Sequence, residues 1–171
     1  EGTASIFAGA GLSIPAGFVN WSELMAEIAQ DLGLDINLEK DLISIAQFHV
    51  NENLTRSKLN RKILEEFTED TRETENHRII ARLPFSSVWT TNYDEIIENT
   101  YRKENKIVDV KFENNQLLTT KPKRDIVIYK MHGDVNHPNE AILTKEQYEQ
   151  YYQTHEPFIN ALTGELTTKT L

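Results

Sequence analysis

The sequence contains no cysteine. That absence excludes disulfides, a thiolate nucleophile and any cysteine-ligated zinc or iron–sulfur site, and it accords with a reducing, cytoplasmic setting. No apolar run approaches the roughly 18 residues that a membrane-crossing helix needs. The N-terminus also lacks the basic n-region and cleavage site of a signal peptide. Basic tracts are missing as well: 18 Lys and Arg stand against 27 Asp and Glu, a formal charge of −9. Such a chain is expected neither to grip a nucleic-acid backbone nor to sit on a membrane. An anionic ligand is still admissible where local backbone N–H groups receive it. The composition that remains, 39% hydrophobic and 26% charged over 171 residues, suits one globular domain. Glu1 is not an initiator Met, a buried-looking strand begins almost at once, and the chain stops inside or just after an apparent helix. The expectation is a segment of a longer protein, lacking that protein's C-terminal part.

Thr3–Ala8 is small, β-branched and apolar, and leads directly into Gly9-Ala10-Gly11. After Pro15 and Gly17, the apolar residues Trp21, Leu24, Met25, Ile28, Ala29 and Leu32 recur at helical spacing, with Asn20 and Glu23 placed as an N-terminal cap and Gly33 as the stop. Residues 38–83 read as a helical insert with three helices, around Leu42–His49, Leu59–Phe67 and Glu75–Leu83. Further strands are expected at Ser87–Thr91, Ile107–Phe112 and Asp125–Met131, the last apolar enough to be central, and a short one at Ala141–Leu143. Asp94 is placed to cap a helix carrying Ile97 and Tyr101. Thr144 and Gln147 form a capping box for a helix carrying Tyr148 and Tyr151 or Tyr152. Pro157 opens a last helix with Phe158 and Leu162 on its apolar face and Leu166 as a further candidate. The pattern predicts an α/β fold: an open, mostly parallel, Rossmann-like sheet with a helical insertion after the first strand–helix unit. No internal repeat interrupts it.

Three polar clusters, at 9–17, 90–94 and 131–137, fall after the C-terminal ends of predicted strands, where open α/β sheets bind ligands. Gly9-Ala10-Gly11-Leu12-Ser13 has the character of a phosphate or dinucleotide loop, since glycines let the backbone turn sharply and approach a pyrophosphate. It is not a complete dinucleotide fingerprint: Ile14 stands where the third glycine belongs, and the region expected to hold an acidic ribose reader is helical. Nor does a Gly-Lys-Ser/Thr follow, which excludes a P-loop. The plainer alternative is a tight strand-to-helix turn, with Ser13 bonding a ligand oxygen or only capping. Asn92 can orient a hydroxyl or a water by donating and accepting together. Asp94 can contact ligand, although a helix cap explains it equally well. His132, beside Gly133 after an apolar strand, has an ordinary pKa of about 6.5 and suits general acid–base work; the alternative is a structural histidine. Asp134 can orient His132 or cap the turn. His137 reads as loop structure, and His49, His77 and His155 as helix residues. His132 and His137 have a spacing that admits a metal but lack a third ligand, so no metal site is expected.

Taken together, Gly9-Ala10-Gly11-Leu12-Ser13-Ile14-Pro15-Ala16-Gly17, Thr90-Thr91-Asn92-Tyr93-Asp94 and His132-Gly133-Asp134 resemble the sirtuin family in the broad sense. With Ile14, Pro15, Gly17 and Trp21-Ser22-Glu23-Leu24, the chain is most similar to the bacterial SIR2-like domains of anti-phage defence proteins. The resemblance implies that residues 1–171 belong to one NAD-binding domain. The turn of Gly9, Ala10, Gly11 and Ser13 would then hold NAD phosphates and ribose, Asn92 and His132 would be catalytic, and Asp94 would face the ligand. It also implies a further sheet strand after the last helix, with a glycine–serine loop and an Asp near the adenosine. Two departures bear on activity. The four zinc-binding cysteines of protein deacylases are absent, so no zinc is expected. Phe18-Val19-Asn20 also stands where deacylases carry Pro-Asp-Phe-Arg. Both agree with family members that hydrolyse NAD+. The implied activity is an NAD+ glycohydrolase giving nicotinamide and ADP-ribose, with NAD+ as substrate, acting as an NAD-depleting effector in defence. A regulatory domain or activating partner outside this chain, and self-association, are implied by resemblance alone. The alternatives are a non-catalytic NAD or ADP-ribose sensor and an ADP-ribosyltransferase.

Overall fold

A computed structural model describes residues 4–68 and 71–170. Thr3, at the start of the expected first strand, and Glu69 and Asp70, within the expected insert, lie outside them. Four short apolar strands, β1 (Ser5–Ala8), β2 (Ser87–Thr90), β3 (Val108–Lys111) and β4 (Ile126–Lys130), pair in parallel in the order β1-β2-β4-β3. The strand with the longest apolar run, β4, is interior as its composition predicts. A parallel sheet needs cover on both faces, and the register supplies it. Val88, Ile126 and Ile128 point to one face, onto α5 (Glu75–Arg82) and α6 (Ile96–Lys103). Trp89 and Tyr129 point to the other, stacked with centroids 4.0 Å apart beneath α8 (Tyr151–Thr154) and α9 (Glu156–Thr168).

At the strands' N-terminal ends the Ser5 and Ser87 hydroxyls lie 2.7 Å apart, and both bond the Glu165 carboxylate of α9. Lys169 reaches the same carboxylate at 2.9 Å. The chain then returns to the open edge of β1, where Ser5 N–H donates to the Thr170 carbonyl at 2.9 Å.

At the opposite end, α1 (Ala10–Ser13) follows β1 directly and a short 3-10 turn, Ile14–Ala16, leads to α2 (Trp21–Asp31). Asn20 and Glu23 form the expected capping box. With α3 (Leu42–Asn53) and α4 (Ser57–Phe67), α2 builds a second core from Leu24, Ile28, Ile45 and Ile63. Tyr93, Val135, Ala141 and Leu143 join that core from the loops at the strand ends, so the helical layer is seated directly on the polar clusters. Arg56 fastens it further, donating to the Pro138 and Ala141 carbonyls at 3.0 and 2.9 Å.

Some expectations are corrected. Ala141–Leu143 is not a strand: it is buried, and Ile142 N–H donates once to the His132 carbonyl, but no ladder follows because its side chains are spent on two different cores. The helix carrying the tyrosines breaks at Gln150 into α7 (Lys145–Glu149) and α8, which buries Tyr151 and leaves Tyr152 exposed. Leu166 is also exposed, beyond the width of the sheet that α9 covers.

Because Ile63 is fully buried where α4 meets α2 and α3, Ile63→Ala is expected to cost about 2–5 kcal/mol of stability. A urea titration checks this; a loss below about 1 kcal/mol would mean the helical layer collapses around the gap.

Candidate functional site

The glycine turn and the asparagine loop are one structure. Asn92, on the loop after β2, is buried and donates both amide hydrogens to the turn: Nδ2 to the Gly9 carbonyl at 3.1 Å and to Ser13 Oγ at 2.8 Å. A carbonyl can only accept, so this contact also fixes which side of the amide is nitrogen. The sequence reading had Asn92 donating and accepting together toward a ligand. Its donors are instead committed internally, and Oδ1, without a protein partner among the described residues, is the atom left for a ligand. Ser13 is buried beneath it, its oxygen receiving Asn92 and its own hydrogen still available to donate.

Of the two reasons expected for glycine here, the sharp turn is not one the backbone requires. Neither Gly9 nor Gly11 has a left-handed backbone: Gly9 is extended at φ −113° and Gly11 is helical. A Cβ at either position would meet no heavy atom within 4 Å. The fold therefore tolerates a side chain at both, and what glycine preserves is open space on the outer face of the turn, where Gly9, Ala10 and Gly11 are exposed. Gly133 is the opposite case. It has φ +97°, and a Cβ would lie 2.9 Å from the Ala141 Cα, so the histidine loop requires glycine sterically.

Asp94 does serve the start of the helix, and its second oxygen is left over. Oδ1 accepts from Ile96 N–H at 3.1 Å at the start of α6, while Oδ2 is buried with no hydrogen-bond partner. Such an atom is costly unless something comes to satisfy it. With Asn92, Ser13 and Ala10 it lines a cavity of about 40 Å³ whose apolar wall is Val19, Trp21, Leu24 and Phe67. Phe67 also lines an adjoining cleft of about 560 Å³, bounded by Phe18, Ile96, Asn99 and Arg102. The larger cleft holds none of the candidate site residues, although Val135 and Asn136 of the third polar cluster line it. The smaller cavity holds several of the candidates.

His132 is not in the wall of either cavity. Its ring stands edge-on to Tyr148 and Tyr151, with Nδ1 3.4 Å from the Tyr148 hydroxyl. Burial there, helped by His155, lowers its pKa to about 4, so the imidazole is neutral at pH 7 and a weaker base than a solvated one. Asp134 does not orient it. One Asp134 oxygen takes the Asn136 backbone and side-chain N–H groups and the other takes Lys130 at 2.6 Å. His137 stacks on Phe112, away from His132, and among the described residues no group of three or more His, Asp or Glu side chains is gathered as a metal would require.

What joins the histidine loop to the asparagine loop is a residue the sequence reading missed. Lys130, the last residue of β4, is fully buried. Its Nζ donates to the Tyr93 and Asp94 carbonyls at 2.9 and 2.8 Å and to Asp134 at 2.6 Å, and lies 3.0 Å from Glu98. Burial drives the Glu98 carboxyl above its usual range, whereas Lys130 holds Asp134 below it despite burial. Backbone bonds run alongside, from Met131 N–H to the Thr90 carbonyl at 2.8 Å and from Val135 N–H to that of Tyr93 at 3.0 Å. No local signal marked it, for a lysine at the end of a strand is ordinarily solvated.

These charges set two expectations. Lys130→Met strands two buried carboxylates and is expected to cost about 3–5 kcal/mol, read as a fall in urea midpoint. His132, with its folded pKa depressed below the unfolded value, binds fewer protons folded than unfolded between about pH 4 and 6.5, so stability rises with pH across that window. His132→Gln should flatten that rise relative to the parent protein; equal slopes would show a solvated imidazole.

Among known proteins, a model of the SIR2-like domain matches residues 86–171. The chain is 54% identical to a protein named NAD(+) hydrolase ThsA from Bacillus cereus, over 99% of this chain and 36% of that protein. It is 50% identical to a protein of the same name from Acinetobacter baumannii, over 99% of this chain and 35% of the relative, and 45% identical to one from Cytobacillus dafuensis, over 99% and 34%. The chain thus spans about a third of the length of these relatives. A parallel sheet whose glycine turn, asparagine loop and histidine loop meet at the strand ends, together with a family match over half its length, makes this chain a member of the SIR2-like domain family.

Proposed function

We propose that this chain is the catalytic domain of an NAD+ glycohydrolase, which cleaves the bond between nicotinamide and ribose to give nicotinamide and ADP-ribose. The observation that carries the reading is the glycine turn: open space over Gly9 and Gly11 where the fold itself would accept a side chain, with Asn92 locked to its inner side. That surface suits close approach by a pyrophosphate. The names of the relatives favour NAD+ as the substrate.

In this reading Gly9, Ala10, Gly11 and Ser13 hold the phosphates and ribose. The unfilled Oδ2 of Asp94 faces the ligand, and Asn92 Oδ1 accepts a hydrogen bond from a ribose hydroxyl or the attacking water. His132, neutral at working pH, takes the proton released as water adds, directly or through a ribose hydroxyl. Nicotinamide leaves as a neutral molecule, so the chain supplies positioning and proton transfer rather than an acid for the leaving group. We further infer that the protein is cytoplasmic and depletes NAD+ as an anti-phage effector. Its activation would come from a regulatory region or partner outside this chain, and self-association belongs to the same reading.

Incubating the full-length protein with NAD+, and following nicotinamide and ADP-ribose by chromatography, tests the reaction. Equal release of both products is expected, lost in Asn92→Ala and His132→Ala. Nicotinamide without matching ADP-ribose would indicate transfer to an acceptor, and binding without release would indicate a sensor. Gly11→Ala separates binding from folding. It should leave stability unchanged or raise it by about 0.5–1 kcal/mol, while raising KM for NAD+ by at least about tenfold. An unaltered KM would remove the turn from the binding surface.

A further inference from the structure

Lys130 presents a problem that its counterions do not solve. A methionine in its place, with neutral partners, would fill the same buried volume without desolvating three charges, and such replacements are often neutral or stabilising. The ammonium does something an apolar residue cannot: it donates to the carbonyls of Tyr93 and Asp94, the two residues that follow Asn92. The Asn92 N–H is bonded to Thr90 Oγ1 at 3.0 Å on its own strand, and its side chain is bonded to the glycine turn. The carbonyls on its C-terminal side are held by Lys130 and one Val135 N–H, while the side chains are anchored separately, the Tyr93 hydroxyl donating to the Ile142 carbonyl at 2.7 Å and Asp94 Oδ1 accepting from Ile96 N–H. Through Asp134 the same ammonium grips the turn that begins with His132 and Gly133.

We propose that Lys130 is a positioning residue for the reaction. It fixes the loop after Asn92 against the histidine loop, so that Asn92 Oδ1 stays over the glycine turn in the geometry the transition state requires. For its catalytic readout this inference rests on the hydrolase reading above. Lys130 itself touches no substrate in this account. It acts through the two backbone carbonyls, and Glu98 serves only to balance its charge.

The test must separate a positioning role from a folding one. In the full-length protein, the triple variant Lys130→Met, Glu98→Gln, Asp134→Asn removes all three buried charges. The amide that replaces the Asp134 carboxylate would retain an oxygen for the Asn136 N–H. With no charge left stranded, this variant should unfold nearer the parent's urea midpoint than Lys130→Met alone, yet lose at least about tenfold in kcat with KM for NAD+ changed by less than about threefold, the signature of an interaction realised in the transition state. Faster deuterium uptake in residues 91–96 should accompany the loss. A folded triple variant with the parent's kcat would overturn the proposal and leave Lys130 a buried counterion.

Glu98→Gln alone keeps both carbonyl tethers and serves if the triple variant does not fold. Its kcat should stay within about twofold of the parent's even though stability falls, and a tenfold loss there would also overturn the proposal, because Glu98 touches the ammonium and not the loop. Should the parent itself release no nicotinamide, the hydrolase reading fails on its own. Deuterium uptake then decides Lys130 independently, since unchanged protection of residues 91–96 in the folded triple variant refutes the tether.

Discussion

A fully buried ammonium is the constraint around which the C-terminal end of this sheet is arranged. Lys130 cannot reach water from the end of β4, so the chain must bring oxygens to it, and those oxygens come from two stretches of chain, one running from the β2–α6 loop into α6 and the other just after β4. The β2–α6 loop contributes two carbonyls, α6 a carboxylate, and the turn after β4 another. Removing any one partner from a site without solvent leaves a group whose desolvation is uncompensated, and this makes the arrangement cooperative. The loops that carry Asn92 and His132 inherit their relative placement from it.

The rest of the architecture keeps that end of the sheet dry and fixed. Trp89 and Tyr129 stack beneath α8 and α9 on one face, and α5 and α6 cover the other. The helical layer of α2, α3 and α4 does not stand apart as a separate lobe: Tyr93, Val135, Ala141 and Leu143 from the site loops lie in its core. Stability of the insert and geometry of the site are thereby coupled. At the far end, Glu165 and Lys169 tie the last helix to the first residues of β1 and β2.

The site combines satisfied and unsatisfied groups in a telling way. Asn92 and Ser13 have their inward hydrogen bonds made and offer one atom each, which is what a preorganised surface does. Asp94 Oδ2 is buried without a partner, and the glycines stand beside open space. His132 is held neutral by burial beside Tyr148 and Tyr151. Its ring and the Asn92 cavity are joined through loops and a buried cation without sharing a wall.

Residue type and local spacing alone determined the four parallel strands, the caps at Asn20 and Thr144, the interior position of β4 and the placing of three polar loops at strand ends. These are matters of periodicity and turn chemistry, which act over a few residues. Gly9, Ser13 and Asn92 were legible as candidates for the same reason. That they form one hydrogen-bonded unit was not, because the Asn92 contacts span about 80 positions of chain. Ala141–Leu143 read as a strand because buried extended segments have strand composition whether or not a partner edge is near. Lys130 was passed over because a strand-terminal lysine looks solvated in sequence. Only the tertiary structure, by closing two loops and a helix over it, turned that lysine into a buried charge and the loops into one site.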